Sequence, residues 1–450
     1  MNRYKNIVNP DAENSPLGVK KNKLRGRIYA LLVAVLLFGA GILYAWISAD
    51  QGLKDLLWFK EMIQDEYYGE MSDEQFWQAA IDGVEAKLDD YSCFYTADEY
   101  RSVTSSRQGN MVGTGLSFFS DSNLLYHVAI GSPAFLAENE KGEKIEAGMF
   151  LTGVGAEKGE YQNTFDSKSL LTELGKYKSG DEIFLRLSSE SSSATEGCLE
   201  LSIKAGAYTE SFVLYATKEA KYAPIYSQGG WVQCGTGMDG IDEDTAYIQL
   251  VRFYGNAAAE FAAAARQYLK DGKTNLVLDL RNNGGGDMEV LRGIASYLMK
   301  GAEKGDVVAI AKSKKDKEVF RTKGGYFEEY FGDSKVYVIA NRNSASASEA
   351  LMGAMLCSGT TSLEQTYLVT TDPAEGAEAR TFGKGIMQTT YENPFTGTAV
   401  KLTTAYIYWP DGKTCIHGKG ISTKDGAIGK YSETNAVYKD PVLKEILSEI

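Results

Sequence analysis

The chain has 450 residues, 44% of them hydrophobic and 24% charged, with a net charge of −13. This is the composition of a globular protein with core enough for more than one domain, and it excludes a disordered chain. The charge is uneven: residues 1–27 carry +5 and the rest −18, so the acidic body argues against nucleic acid or an anionic membrane surface as partner. Five cysteines (Cys93, Cys198, Cys234, Cys357, Cys415) are widely spread with no CxxC pair. That excludes a zinc ribbon, argues against a disulfide framework, and suits small buried hydrophobes.

In chain order, the first element is IYALLVAVLLFGAGILYAWI, residues 28–47, twenty residues without a charge. As a helix it is long enough to span a hydrocarbon core of ~30 Å. Lys20, Lys21, Lys23, Arg25 and Arg27 precede it, and Asp50 and Asp55 follow. The positive-inside rule then leaves 1–27 as a cytoplasmic basic tail and puts residues 48–450 outside, at the cell membrane. A cleaved signal peptide is the alternative; its apolar region is usually about 7–15 residues, so the reading is an uncleaved single-pass anchor.

Residues 50–105 carry helical patterning. Ser72 is a candidate N-cap with Gln75 three residues on, and Phe76, Ala79, Ala80, Val84 and Leu88 recur at helical spacing. This predicts an N-terminal helical region over 48–107. Residues 108–206 read as a small, mostly β domain with two helices. VGTGLSFF and LLYHVAI are strands, GSPAFLAE a turn and short helix, KIEAGMFLTGVG a strand pair and SKSLLTELGKY a helix. EIFLRLSSE and CLELSIKA are strands around a serine-rich loop. From 207 to 450 strands and helices alternate: AYIQLVRF, a helix ending at Gly272, NLVLDL, MEVLRGIASYLMKG, KVYVIAN, and a helix ending near Gly359. Near-continuous apolar strands between helices predict an α/β core with a parallel sheet. There are no repeats.

Three stretches could carry chemistry. LDLRNNGGGD (278–287) ends a buried strand with three glycines, which open the backbone for close approach and can aim N–H groups at an oxyanion; alone it is equally a sharp turn. NRNSASASE (341–349) places Ser344, Ser346 and Ser348 where a strand hands over to a helix. Unpaired N–H groups there stabilise negative charge, and Ser348 is a candidate N-cap. In TFGKGIMQ (381–388), Lys384 lies between two glycines, with Gln388 four residues on and on the same face in a helix or a strand. A lysine base must be neutral near pH 7, through burial or a positive neighbour.

His127, within a β segment, and His417, in a turn-rich one, read as structural. GxSxG, HExxH and P-loop patterns are absent. GTGMDG (235–240) precedes a strand rather than a helix, so it is no dinucleotide site, and DGIDED lacks the calcium-loop spacing.

Together VLDLRNNGGG, NRNSASASEALMGAM and TFGKGIMQ resemble the carboxyl-terminal processing peptidases, the S41 serine peptidases. EYYGEMSDEQFWQAAIDGVEAKLDDYSCFYTADEY resembles their N-terminal helical region, GTGLSFF…GSPAFLAE…IEAGMFLTGVG their PDZ domain, and LTTAYIYWPDGKTCIHGKGIS their final strand segment. The resemblance implies an α/β, ClpP/crotonase-like peptidase core over 207–450 with a PDZ domain inserted at 108–206. It implies Ser346 as nucleophile, Lys384 as general base supported by Gln388, and Ala347 and Gly285 N–H groups as the oxyanion hole. Gly113, Thr114, Gly115 and Leu116 match the loop that receives a substrate's C-terminal carboxylate on backbone amides. There are departures. A longer segment, TSLEQTYLVTTDPAEGAEA, replaces a shorter one before the lysine motif; it is either a surface loop, which absorbs length at modest entropic cost, or a change to the gate of the site. The VGE before that motif is missing, Gly284 replaces a proline, and GISTKDG replaces GITPD.

The expectation is therefore a membrane-anchored serine endopeptidase acting on polypeptides with a free C-terminus, with no metal or cofactor, and with homo-oligomerisation left open. The alternative is an inactive PDZ/peptidase-fold scaffold that tethers C-terminal tails at the membrane. A penicillin-recognising Ser–Lys enzyme would need SxxK and KTG, which are absent.

Overall fold

The computed structural model describes residues 16–48, 50–372, 378–432 and 441–450. Two compact units divide between Lys87 and Leu88. The first is helical: α1 (Pro16–Ser48), α2 (Gln51–Glu66) and α3 (Asp73–Glu85). The expected cap of α3 is present, the Ser72 hydroxyl accepting the Gln75 N–H while the Gln75 side chain accepts the Ser72 N–H at 2.8 Å. The apolar run of 28–47 lies within α1. Among the described residues no helix is long and apolar enough to cross a membrane.

The second unit opens with β1 (Cys93–Tyr95) and α4 (Ala97–Arg107). The helical region was expected to run to 107; residues 88–107 instead belong to this unit, because β1 pairs far down the chain. A smaller module follows: β2 (Asn110–Gly113), β3 (Leu116–Phe118), β4 (Leu125–Val128), α5 (Pro133–Leu136), β5 (Phe150–Glu157), β6 (Glu160–Asn163), α6 (Ser167–Leu174), β7 (Glu182–Ser188), β8 (Leu199–Lys204) and β9 (Gly206–Thr209). It has its own core around Leu125, Leu151, Val154, Leu170, Leu185 and Ile203. Its sheet runs β6–β5–β7–β8, and β2 and β9 form the ribbon by which the chain enters and leaves. KIEAGMFLTGVG forms one strand, β5, where a pair was expected; its first half turns at Gly148 (φ 91°) and bonds to Leu125.

The remaining elements are β10 (Val213–Ala216), β11 (Ala220–Ile225), β12 (Gly230–Thr236), β13 (Thr245–Leu250), α7 (Ala257–Asp271), β14 (Asn275–Asp279), α8 (Met288–Leu298), β15 (Val307–Ser313), β16 (Lys317–Arg321), α9 (Phe327–Tyr330), β17 (Lys335–Asn341), α10 (Ala347–Ser358), β18 (Thr366–Thr370), β19 (Ile386–Glu392), β20 (Ala399–Tyr408), β21 (Ile428–Tyr431) and α11 (Pro441–Glu449). One sheet has the order β12–β11–β10–β13–β14–β17–β18–β21, parallel from β13 onward. The other joins β1–β20–β15–β16, with β19 also on β20. The apolar strands follow from burial on both faces. In β14, Leu276 and Leu278 enter the core shared with α7, α8 and α10, while Val277 faces the layer closed by Val442, Leu443 and Ile446 of α11. Helices α7 and α10 stop at the expected glycines, Gly272 (φ 64°) and Gly359 (φ 72°). Such left-handed endings cost glycine no Cβ strain.

The longer segment before the lysine motif is mostly not a surface loop. Its apolar TYLVT run becomes β18, buried and inserted between β17 and β21. Residues 373–377 of it lie outside the described residues.

Where the chain passes from module to core, Glu260 of α7 is buried and accepts the Phe212 N–H at 2.7 Å and the Tyr226 hydroxyl at 2.6 Å. Burial pushes its carboxyl up to about 7. The folded value thus lies above the unfolded one of ~4.3, so this group's contribution is full in acid and is lost as pH rises through about 7. Glu260→Gln, neutral throughout, should gain in melting temperature relative to the parent between pH 5 and pH 8. A difference that stays flat across that range would show that Glu260 does not titrate there.

Candidate active site

Strands β14 and β17 lie side by side in parallel, with Asp279 opposite Ile339. Their C-terminal ends therefore release two loops next to each other, 280–287 and 342–346. At the edge of an open α/β sheet this is where ligands meet the fold. The loops are stitched together by buried polar groups. The Ser344 hydroxyl donates to the Leu280 carbonyl at 2.7 Å, the Ser348 hydroxyl to the Asn283 carbonyl at 2.8 Å, and the Ala345 N–H to the same Asn283 carbonyl at 3.0 Å. Ser344 and Ser348 are wholly buried, whereas Ser346 is half-buried and lines a cleft. The three serines thus separate into two staples and one hydroxyl open to a ligand. The expected cap at Ser348 sits instead at Ser346, the residue before α10.

Ser346 has φ 59° and ψ −114°, one of three non-glycine residues with positive φ among those described. An L-residue held there is strained, and such strain persists only where the surroundings enforce it. Gly285 is part of the enforcement. Its Cα packs so close that an added Cβ would stand 2.8 Å from both the Ala347 nitrogen and the Ser346 Cβ. Ala347, first residue of α10, has its N–H at the helix start with no carbonyl of the helix to receive it. The Gly285 N–H, expected beside it, donates to Asn283 Oδ1 at 2.9 Å.

Lys384 reaches the same cleft of about 770 Å³, together with Gln388 and Lys401. Its flanking glycines are needed. Gly383 has φ 88°, and an added Cβ at Gly385 would come 2.6 Å from the His417 nitrogen. The His417 ring packs edge-on to Tyr406, and His127 pairs with Glu210 at 3.0 Å, so both histidines are structural as read. The Lys384 ammonium stands 4.6 Å from the Tyr91 ring centroid. Burial, then the charge of Lys401, hold its amine below the ordinary lysine value, against the opposing pull of Asp89 and Glu349. Gln388 donates to the Thr403 hydroxyl at 3.3 Å, and Thr403 donates in turn to Asp89 at 3.1 Å.

In the smaller module, Gly113 (φ 144°) and Gly115 (φ 86°) shape the GTGL turn, and a Cβ on Gly115 would overlap Ser132. Leu116 begins β3, whose only strand partner among the described residues is β4. Its other edge pairs with no strand among the described residues.

Sequence reading did not single out Glu349. This carboxylate is completely buried on α10 and accepts four hydrogen bonds. They come from the Ser346 N–H at 2.9 Å, the Thr381 hydroxyl at 2.6 Å, the Gly383 N–H at 2.7 Å and the Lys384 N–H at 2.9 Å. One side chain fixes both loops that carry the cleft residues. The signal was present, since an acid three residues into a helix that is otherwise apolar must be either solvated or saturated. Tyr91, Asp89 and Lys401 were also missed; their approach to Lys384 is set by β1 pairing with β20, with Cys93 opposite Lys401.

Glu349→Gln keeps the volume but turns one acceptor into a donor facing an N–H. A stranded buried donor costs about 1–3 kcal/mol, so the unfolding midpoint in urea should fall by that equivalent. An unchanged midpoint would mean that this carboxylate is not the anchor of the two loops.

Residues 244–363 match the family described as Peptidase family S41. A “Probable CtpA-like serine protease” of Staphylococcus epidermidis is 26% identical over 392 residues, 86% of this chain and 67% of that protein. The protein of the same description in Staphylococcus saprophyticus is 28% identical over 366 residues, 80% of this chain and 62% of its own length. The chain thus spans about two thirds of these curated relatives. In fold it is similar to the solved “Putative S41 protease” of Bacteroides fragilis, with a TM-score of 0.50 and 14% identity over 87% of this chain and 96% of that one. On the matched segment and these relatives, residues 244–363 carry a match to peptidase family S41 and the chain is similar to CtpA-like serine proteases.

Proposed function

We propose that the protein is a membrane-anchored endopeptidase in which Ser346 and Lys384 form the catalytic dyad. It would act outside the cytoplasm on polypeptides selected by their C-terminal tails. The observation that carries the dyad is the strained Ser346 at the head of α10, in one cleft with a half-buried lysine whose amine is held below its usual value. Neutral Lys384 takes the proton from the Ser346 Oγ, and the alkoxide adds to the scissile carbonyl carbon. The Ala347 N–H receives the developing oxyanion, and Gly285 adds a second donor once its N–H leaves Asn283. Collapse expels the amine, which takes the proton back from Lys384, and water then hydrolyses the acyl-enzyme. Gln388, tethered to Thr403, borders the base without bringing a charge.

Tail selection rests on residues 108–206 as a PDZ domain. The edge of β3 that pairs with no strand among the described residues suits strand addition, and the glycines of the Gly113–Thr114–Gly115–Leu116 turn let backbone N–H groups converge on a carboxylate. The anchor rests on the uncharged run 28–47, carried on α1, and on the basic residues before it.

Ser346→Ala should abolish cleavage and serine-directed fluorophosphonate labelling while peptide binding persists. Lys384→Arg should be equally inactive, since a guanidinium does not deprotonate. Labelling and cleavage that survive Ser346→Ala would remove the dyad. A parent protein that binds tails but never forms an acyl-enzyme would be the inactive scaffold instead. Rate should rise with pH through the neutral-to-alkaline range as Lys384 loses its proton, because the amine form is the base.

Amidating the C-terminus of a matched peptide should weaken docking by about 1.5–3 kcal/mol, the scale of a hydrogen bond to a charged group. That is roughly ten- to hundredfold in affinity. Equal binding of acid and amide would make the module a spacer.

A further inference from the structure

We infer that Lys401 is a positioning residue for the base: from near the start of β20 it brings a second ammonium into the cleft of Lys384 and so keeps the Lys384 amine ready to accept the serine proton. This rests on the dyad reading above and goes beyond it by assigning what holds that lysine neutral.

The geometry is a cluster of groups in one cleft. Lys401 lines the space that Ser346, Lys384 and Gln388 line. It is held between two strands, opposite Thr390 of β19 and opposite Cys93 of β1. Both ammonium groups lie against tyrosine rings of one short segment, Lys384 at 4.6 Å from the Tyr91 centroid and Lys401 at 5.6 Å from that of Tyr95. Neither lysine makes an ion pair among the described residues.

Two carboxylates, Asp89 and Glu349, pull the other way, and among the described residues neither forms an ion pair with Lys384 or Lys401. Asp89 accepts the Tyr91 N–H at 2.9 Å and the Ser92 and Thr403 hydroxyls, each at 3.1 Å. Glu349 is saturated by four donors. Arg107, Asp287, Glu289 and Glu318 also line the cleft, and of these Glu289 pairs with Arg292 and Lys323. Cys93 and Tyr95 flank Lys401 on β1, and burial holds the Tyr95 phenol above its ordinary value.

Two ammonium groups in a half-buried cleft repel, and the group more easily stripped of its proton gives way. A lysine beside a second cation is one recognised route to an amine nucleophile or base at neutral pH. The causes acting on Lys384 fit: burial is the largest, and Lys401 comes next in the same direction.

The test separates charge from architecture. In the Ser346→Ala protein, the reactivity of Lys384 toward trace acetic anhydride is followed across pH by peptide mass spectrometry, with Lys401 intact, Lys401→Met or Lys401→Arg. Lys401→Met should move the midpoint of Lys384 acylation to higher pH, and Lys401→Arg should leave it in place. In the otherwise unaltered protein, Lys401→Met should shift the acid limb of kcat/KM the same way. At pH 7 that is a loss of roughly three- to tenfold, recovered in alkali, as expected for one like charge removed. An unmoved midpoint in Lys401→Met, or a loss of rate equal at every pH, would overturn the inference and make Lys401 a structural or substrate-contact residue. The acylation arm needs no turnover, so it stands or falls apart from the dyad, which fails separately if Lys384→Arg cleaves normally.

Discussion

The site depends on a buried carboxylate. Glu349 has no solvent to stabilise its charge, so it must be met by donors, and the four it finds come from two segments far apart in the chain. The requirement runs both ways. The Ser346, Gly383 and Lys384 N–H groups are themselves kept from water and would be costly unpaired. A saturated anion between two loops is stiffer than a hydrophobic contact, because each bond fixes a direction as well as a distance.

The sheet supplies the frame on which that carboxylate works. Parallel strands covered on both faces end their side chains in two cores, and their loops are forced out at one edge. Stapling by Ser344 and Ser348 then binds those loops into a single block. What remains open at the edge is the one serine whose backbone is bent out of the ordinary range. The fold thus spends two hydroxyls on rigidity to present the third.

Much of this was legible in the sequence. The capping box at Ser72, the helix-ending glycines and the alternation of strands and helices follow from local rules, and local rules held for them; of the uncharged segment the structure shows only that it lies within a helix. Ser346, Lys384 and Gln388 were found by their motifs and do line one cleft. The larger misses are non-local. Residues 88–107 read as helical by their neighbours, but three of them pair with β20, some three hundred positions on. TYLVT looked like insertion, yet its β-branched and aromatic residues suited a buried strand, and a vacancy beside β17 took it. The Gly285 N–H could not be assigned from a GGG run, since its partner depends on how Asn283 is turned.

The pairing of β1 with β20 has a consequence for how the protein is made. Tyr91 emerges from the ribosome early, and Lys384 and Lys401 emerge only after most of the chain has been synthesised. The surroundings of the lysine are therefore assembled from both ends of the second unit, across the whole inserted module. A nascent chain stalled or truncated before β20 would carry Ser346 next to its helix without the strands that enclose Lys384. The topology thus acts as a delay: the complete constellation cannot exist until the domain that contains it is almost finished.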